Sequence, residues 1–337
     1  MGKTTRDKLV QWLEQRVKRD YAGKVALVCL YGSHINGTAN EQSDVDCYFV
    51  PKTEEGLTLA RTFLLEGVGY DIYPAPWERL ERIAALKDSH QPLVGDVKVL
   101  YADTPHDLAR LESLQKTMRD HLDDPVYRRQ AAEARWQESR AGAKLPPADW
   151  PLKDSRMLAG CLLMNLAEKL AFARGAYYHY GLKRQFADLL ALENLPPQLE
   201  AHYLAVVQAN DPPAVRHACK ELADCCRCKL TEAEPLPWGE MPSGMALAGL
   251  YEEISSAFRK IEVCAAKNDP VLAFLSAVCL QWEVPELDIL TDFCHDDLAG
   301  FARKSLQKEQ ALRQKIAQTG GVLKEYDTFE AFEPAQR

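Results

Sequence analysis

The chain has 337 residues, 47% of them hydrophobic, with a formal net charge of -8 and a pI near 5.6. At roughly 100–200 residues per domain, that length predicts two domains, each with a sizeable core. An acidic balance is not built to hold long nucleic acid by bulk attraction, although it leaves room for a local basic pocket, and no apolar run reaches the ~18 residues of a membrane span.

The ten cysteines are irregularly spaced and several sit inside apolar helical patterns, while residues 1–20 are charged and amphipathic with no apolar leader. Free thiols in a reducing cytoplasm are the expectation.

In chain order, residues 1–20 place Leu9, Trp12, Leu13 and Val17 at helical spacing. The continuous apolar run KVALVCLYG (24–32), closed by Gly, predicts a buried strand, and DVDCYFV (44–50) predicts a second. Residues 53–66 are expected to be helical. GYDIYP (69–74) predicts a third strand, stopped by Pro74 and Pro76. Residues 77–88 put Leu80, Ile83 and Ala84 on one helical face, and GDVKVLYA (95–102) alternates as a fourth strand. This first part is α/β (α+β) with a small mixed sheet.

After Asp103 only helices are expected, the first capped by Thr104 with Pro105 at its first position. The apolar stretch 154–180 has the character of a bundle centre. Further helices fit 183–192, 197–209, 212–230, 242–267, 270–281 and 296–318, separated by Pro or Gly. The last residues, KEYDTFEAFEPAQR, predict a loosely held terminus. The division is residues 1–120 for the strand-bearing domain and 121–337 for an all-α helical bundle.

Chemistry concentrates in YGSHINGTANEQSDVDCYFV (31–50). On a strand, residues two apart share a face, so Asp44 and Asp46 project together while Val45 points to the core. Desolvating two carboxylates is costly without a compensating cation. Hard cations such as Mg²⁺ prefer carboxylate oxygens and commonly share their site with substrate phosphates. Asp71 on the following strand supplies a third acid, with Asp96 as an alternative. Three converging acids suit a two-metal site for in-line phosphoryl or nucleotidyl transfer. Upstream, Gly32-Ser33 ends the first strand and opens a short helix whose exposed N–H groups bind phosphate. Ser33 adds a hydroxyl donor, Gly37 permits an unusual backbone angle, and Ser43 turns the chain into the second strand.

The segment GSHINGTANEQSDVD resembles the signature of the DNA-polymerase-β-like nucleotidyltransferase superfamily: Gly-Ser, three residues, Gly, five residues, then Ser-Asp-x-Asp and an apolar strand. Every position of that pattern is matched, and the nearest likeness is to minimal and antibiotic nucleotidyltransferases, which pair the domain with C-terminal helices. The resemblance implies that Asp44, Asp46 and Asp71 are catalytic ligands of Mg²⁺, with two ions. It implies that Gly32, Ser33 and Ser43 bind an NTP, ATP being the first choice. It also implies an acceptor hydroxyl selected by the helical domain. An aminoglycoside-like or lincosamide-like small molecule leads, since an acidic cleft suits a cationic drug. The alternatives are nucleotidylation of a protein hydroxyl, as in toxin–antitoxin relatives, and a nucleotide-sensing protein without turnover.

Three further signals have two readings each. His217, Cys219, Cys225, Cys226 and Cys228 invite zinc, but thiols along a continuous helix point in different directions, so free thiols are expected. In GAYYHYGLKRQF (175–186), Lys183 and Arg184 either reach the triphosphate or merely complement a helix C-terminus. Glu168 is either a general base for the acceptor or a paired glutamate.

Overall fold

The computed structural model describes residues 4–37, 45–139, 141–236 and 238–336. Helix α1 (Thr5–Asp20) starts at a capping box, in which the Thr4 hydroxyl accepts from the Asp7 N–H and the Asp7 carboxylate accepts from the Thr4 N–H. It buries Leu9, Trp12, Leu13 and Val17, as their spacing predicts. Strands β1 (Val25–Tyr31) and β2 (Asp46–Pro51) follow. The helix expected over 53–66 is instead a short 3-10 turn, Glu54–Leu59, and then strand β3 (Arg61–Leu65). The reason lies in the next two residues. Glu66 and Gly67 both take left-handed backbone angles, φ 53 and 71, and close a two-residue hairpin into β4 (Val68–Pro74). Next come α2 (Trp77–Ala84), α3 (Pro92–Gly95), β5 (Lys98–Ala102) and α4 (Pro105–Asp123), the last capped by Thr104.

The helical region comprises α5 (Pro125–Glu138), a strand β6 (Lys144–Leu145), α6 (Leu152–Ala173), α7 (Gln185–Leu190), α8 (Leu199–Gln208) and α9 (Pro212–Cys225). After them come β7 (Thr231–Glu232), which pairs with β6, then α10 (Gly244–Lys267), α11 (Pro270–Glu283), α12 (Ile289–Asp292) and α13 (Leu298–Gln318). Asp124, Asp211 and Asp269 cap α5, α9 and α11, each followed by Pro at the first helical position. Helix α6 is buried over most of its circumference, including Leu158, Leu162, Leu163, Leu166 and Ala167, and so occupies the middle of this region. No helix of the described residues is long and apolar enough to cross a membrane.

The terminus is not loosely held. Strand β8 (Glu325–Tyr326) joins the edge of the sheet parallel to β3, with Leu64 N–H donating to Lys324 O (2.7 Å) and Glu66 N–H to Tyr326 O (2.9 Å). Helix α14 (Phe329–Ala335) then lies beside α1, where Phe332 is fully buried. Arg16 and Arg61 both donate to Gln336.

The sheet is mixed, in the order β5-β1-β2-β4-β3-β8, with β2 and β4 parallel. Alternation divides its two faces. Val28, Leu30, Cys47, Phe49, Phe63, Tyr70 and Ile72 face α1 and α14. Leu27, Cys29, Tyr48 and Val50 face a second core with α2, α3 and α4, into which α6 inserts Phe172. Leu64 packs with the helical region's own core, and α10 lies against β3 and β4. The N-terminal sheet domain and the helices are thus joined on the face that carries Tyr48.

At one end of the sheet Asp103 accepts from Lys52 Nζ (2.6 Å), Tyr101 Oη (2.7 Å) and Gly23 N (2.8 Å). The Lys52 ammonium, followed by those two donors, holds its carboxyl at about 2. A folded-state pKa below the unfolded one stabilises the protein above the unfolded value and loses that stability as pH falls through the folded value. The expected result is that Asp103→Asn lowers Tm at neutral pH. Its deficit relative to wild type should shrink between about pH 4 and pH 2, which melting curves across that range will check.

Candidate active site

Asp46 opens β2 and Asp71 lies in β4. The next residue of each strand, Cys47 and Ile72, are partners in the parallel pairing. The two acids therefore occupy matching positions on neighbouring strands. Both project to the face of Tyr48 and Tyr73, opposite the apolar Cys47 and Ile72. Their charges are felt together: burial raises the Tyr73 phenol to about 12, with Asp46 and Asp71 both adding to the rise. Cys47 is likewise raised, first by burial and then by Cys29, Asp71 and Asp46. Two of the three predicted acids are thus brought together. Asp44 and Ser43 lie outside the described residues, as does the His34 side chain. Among the described residues no group of three or more His, Cys, Asp or Glu is gathered that would hold a metal. The pair Asp46 and Asp71 offers two hard oxygen donors on one wall, a donor set that fits Mg²⁺.

Gly32 begins the turn after β1 at φ +74. A Cβ there would stand 2.0 Å from Oδ2 of Asp46. Only glycine admits both the left-handed backbone and the carboxylate against it. Gly32→Ala is therefore expected to displace Asp46 and to reduce turnover at least tenfold, with a lower Tm; rate and melting measurements on the purified variant will decide. Ser33, next in the 3-10 turn Gly32–His34, is 8% exposed, and its buried Oγ has no hydrogen-bond partner among the described residues. A buried hydroxyl without a partner is costly, and a ligand oxygen seated on this turn would satisfy it.

The floor beside the acids is aromatic. Tyr73 Oη donates to Tyr31 Oη at 2.9 Å, and the Tyr31, Tyr48 and Tyr73 rings lie 6.1–6.5 Å apart. Tyr48 is fully buried and donates to Leu93 O, which fixes that ring. Beyond Tyr73 the chain reaches Arg79 and His90. His90 is exposed, yet desolvation by surrounding protein lowers its pKa, with the Arg79 charge adding to this and Glu168 opposing it. Glu168, on α6, is close enough for its charge to act on His90. Glu168 does not stand alone: Arg135 donates to Glu168 at 3.0 Å and to Ser89 Oγ at 2.9 Å. The paired reading of that glutamate is the one the geometry matches.

Asp96 is the C-cap of α3 and is engaged by Tyr177 Oη (3.1 Å) and His179 Nδ1 (2.8 Å), so it binds the helical region rather than joining the acid pair. Lys183 ends a 3-10 turn (Gly181–Lys183). Arg184 pairs with Asp188 (3.1 Å) and lies 4.8 Å over the Tyr180 ring. All ten cysteines are free, including the run at 225, 226 and 228. Neither the Tyr31–Tyr73 bond nor the Asp96–His179 contact is evident in the sequence, because each joins elements through pairing that no local pattern encodes.

Residues 10–95 match the family model of the nucleotidyltransferase domain. The match runs from within α1 to the end of α3, including the Gly32-Ser33 turn and both acids, and agrees with a polymerase-β-like nucleotidyltransferase superfamily. It supports nucleotidyl transfer from an NTP to an acceptor as the reaction class. No curated protein matches the chain.

Proposed function

We propose that the chain is a Mg²⁺-dependent nucleotidyltransferase that moves a nucleoside monophosphate from an NTP, ATP first among them, to a hydroxyl of a small cationic acceptor such as an aminoglycoside-like molecule. The observation that carries this reading is the placement of Asp46 and Asp71 side by side on one sheet face, with the Asp46 carboxylate against Gly32. In this reading residues 1–120 bear the reaction site and the helices from about 121 onward select the acceptor. Asp44, Asp46 and Asp71 would hold the ions. Bound there, the ions would neutralise phosphate charge and acidify the attacking hydroxyl. The Gly32-Ser33 turn seats the triphosphate, and the Ser33 hydroxyl donates to it. In this reading Asp71, one strand farther from Gly32 than Asp46, takes the nucleophile side. The acceptor then lies over β4, near Tyr73, Arg79 and His90. Ten free thiols fit a reducing compartment such as the cytoplasm.

Mass spectrometry of reactions with purified protein, Mg²⁺, each NTP and a panel of aminoglycosides and lincosamides tests the acceptor. An acceptor that gains one nucleoside monophosphate supports the reading and names the base. Modified protein with an unchanged panel moves the acceptor to a protein hydroxyl, and no pyrophosphate under any condition contradicts an enzyme.

A further inference from the structure

Just after α6 the chain crosses back to the sheet domain through Tyr177 and His179. Asn36, three residues past Ser33, donates through Nδ2 to His179 O at 3.2 Å. That asparagine belongs to the phosphate turn itself, since its N–H also donates to Gly32 O at 3.2 Å. The His179 ring is fixed separately: Nδ1 lies 2.8 Å from Asp96 Oδ2, and the ring packs 4.2 Å from that of Tyr177. Tyr177 in turn donates to the other Asp96 oxygen, and Gly95 makes room for it, since a Cβ at position 95 would stand 2.2 Å from Tyr177 Oη. With Nδ1 committed to Asp96, Nε2 is the outward nitrogen of a half-exposed ring, and it makes no hydrogen bond among the described residues.

We propose that His179 is a nucleotide-binding residue whose Nε2 donates to the terminal phosphates of the NTP held on the Gly32-Ser33 turn, with Asp96 as its positioning partner. The proposal rests on the nucleotidyltransferase reading above and adds a residue from outside the matched domain. The bond from the Asn36 side chain to the His179 carbonyl ties the backbone of His179 to the turn. Asp96 fixes the ring's orientation and, through its hydrogen bond and charge, raises the imidazole pKa, so that Nε2 is a donor over more of the neutral range. The contact also links the helical region to the phosphate turn, so nucleotide binding would tighten that junction.

Equilibrium binding of ATP, ADP and AMP in the presence of Mg²⁺, by calorimetry on wild type, His179→Ala, His179→Gln and Asp96→Asn, with the other three NTPs measured on wild type, tests this. The expected result is a loss of roughly tenfold in ATP affinity for His179→Ala with AMP affinity unchanged within about twofold. Partial recovery is expected in His179→Gln, which keeps one N–H donor, and Asp96→Asn should fall between wild type and His179→Ala. A general structural defect would weaken ATP and AMP alike. Unchanged ATP affinity in His179→Ala, or equal losses for ATP and AMP, overturns the proposal alone. Failure of wild type to bind any of the four NTPs overturns the nucleotidyltransferase reading, and this proposal with it.

Discussion

Asp46→Asn is expected to lower turnover on the order of 10³-fold while the protein stays folded. The substitution is nearly isosteric, so the side chain still fills the space against Gly32, where any added atom meets Asp46 first. What it removes is a full negative charge from a wall that it shares with Asp71. A metal-bridging carboxylate contributes several kcal/mol of transition-state stabilisation, and about 4 kcal/mol corresponds to that factor. Stability should hold or rise slightly, since one of two neighbouring anions is neutralised. Pyrophosphate release and a thermal melt on the same preparation read both effects. A variant within tenfold of wild type would show that Asp46 is not part of the chemistry.

Phe332→Ala is expected to destabilise the protein by about 3–5 kcal/mol, the usual cost of truncating a fully buried aromatic side chain. Phe332 lies near the end of the chain, yet it is 0% exposed. Its ring stacks on Phe63 at 4.4 Å and meets Trp12 and Tyr326 edge-on at 5.0 and 5.4 Å. Alanine would leave a cavity lined by these rings and by Phe329, whose centroid lies 5.9 Å away. Urea unfolding will show a lower midpoint with an unchanged slope if the account is right. A change under 1 kcal/mol would mean that α14 is frayed in solution and that the sheet does without it.

These two residues show which parts of the molecule its sequence discloses. Asp46 announces itself, because Ser-Asp-x-Asp at the mouth of an apolar strand is a local pattern with one economical physical explanation. Asp71 is legible only once β2 and β4 pair, and the apolar alternation of both strands makes that pairing predictable. Phe332 is opaque in sequence: its partners Trp12 and Phe63 lie hundreds of residues away, and a seven-residue helix has no periodicity to betray its buried face. Strand β3 fails for a different reason. Its five residues follow a real helical turn, and what makes it a strand is the Glu66-Gly67 hairpin. Glu168 carries an ambiguity no local pattern resolves, because its partner Arg135 sits on another helix. The link from Tyr177 and His179 to Asp96 is likewise a product of packing.

The central claim is that Asp46 and Asp71 share a divalent cation beside a triphosphate seated on Gly32-Ser33. A crystal grown with Mn²⁺ and a non-hydrolysable NTP analogue tests it directly, because Mn²⁺ is located by its anomalous scattering. The account predicts an anomalous peak between the Asp46 and Asp71 carboxylates, with the triphosphate against the Ser33 hydroxyl. An ordered analogue bound elsewhere, or one on this turn with the metal held away from both acids, would contradict it.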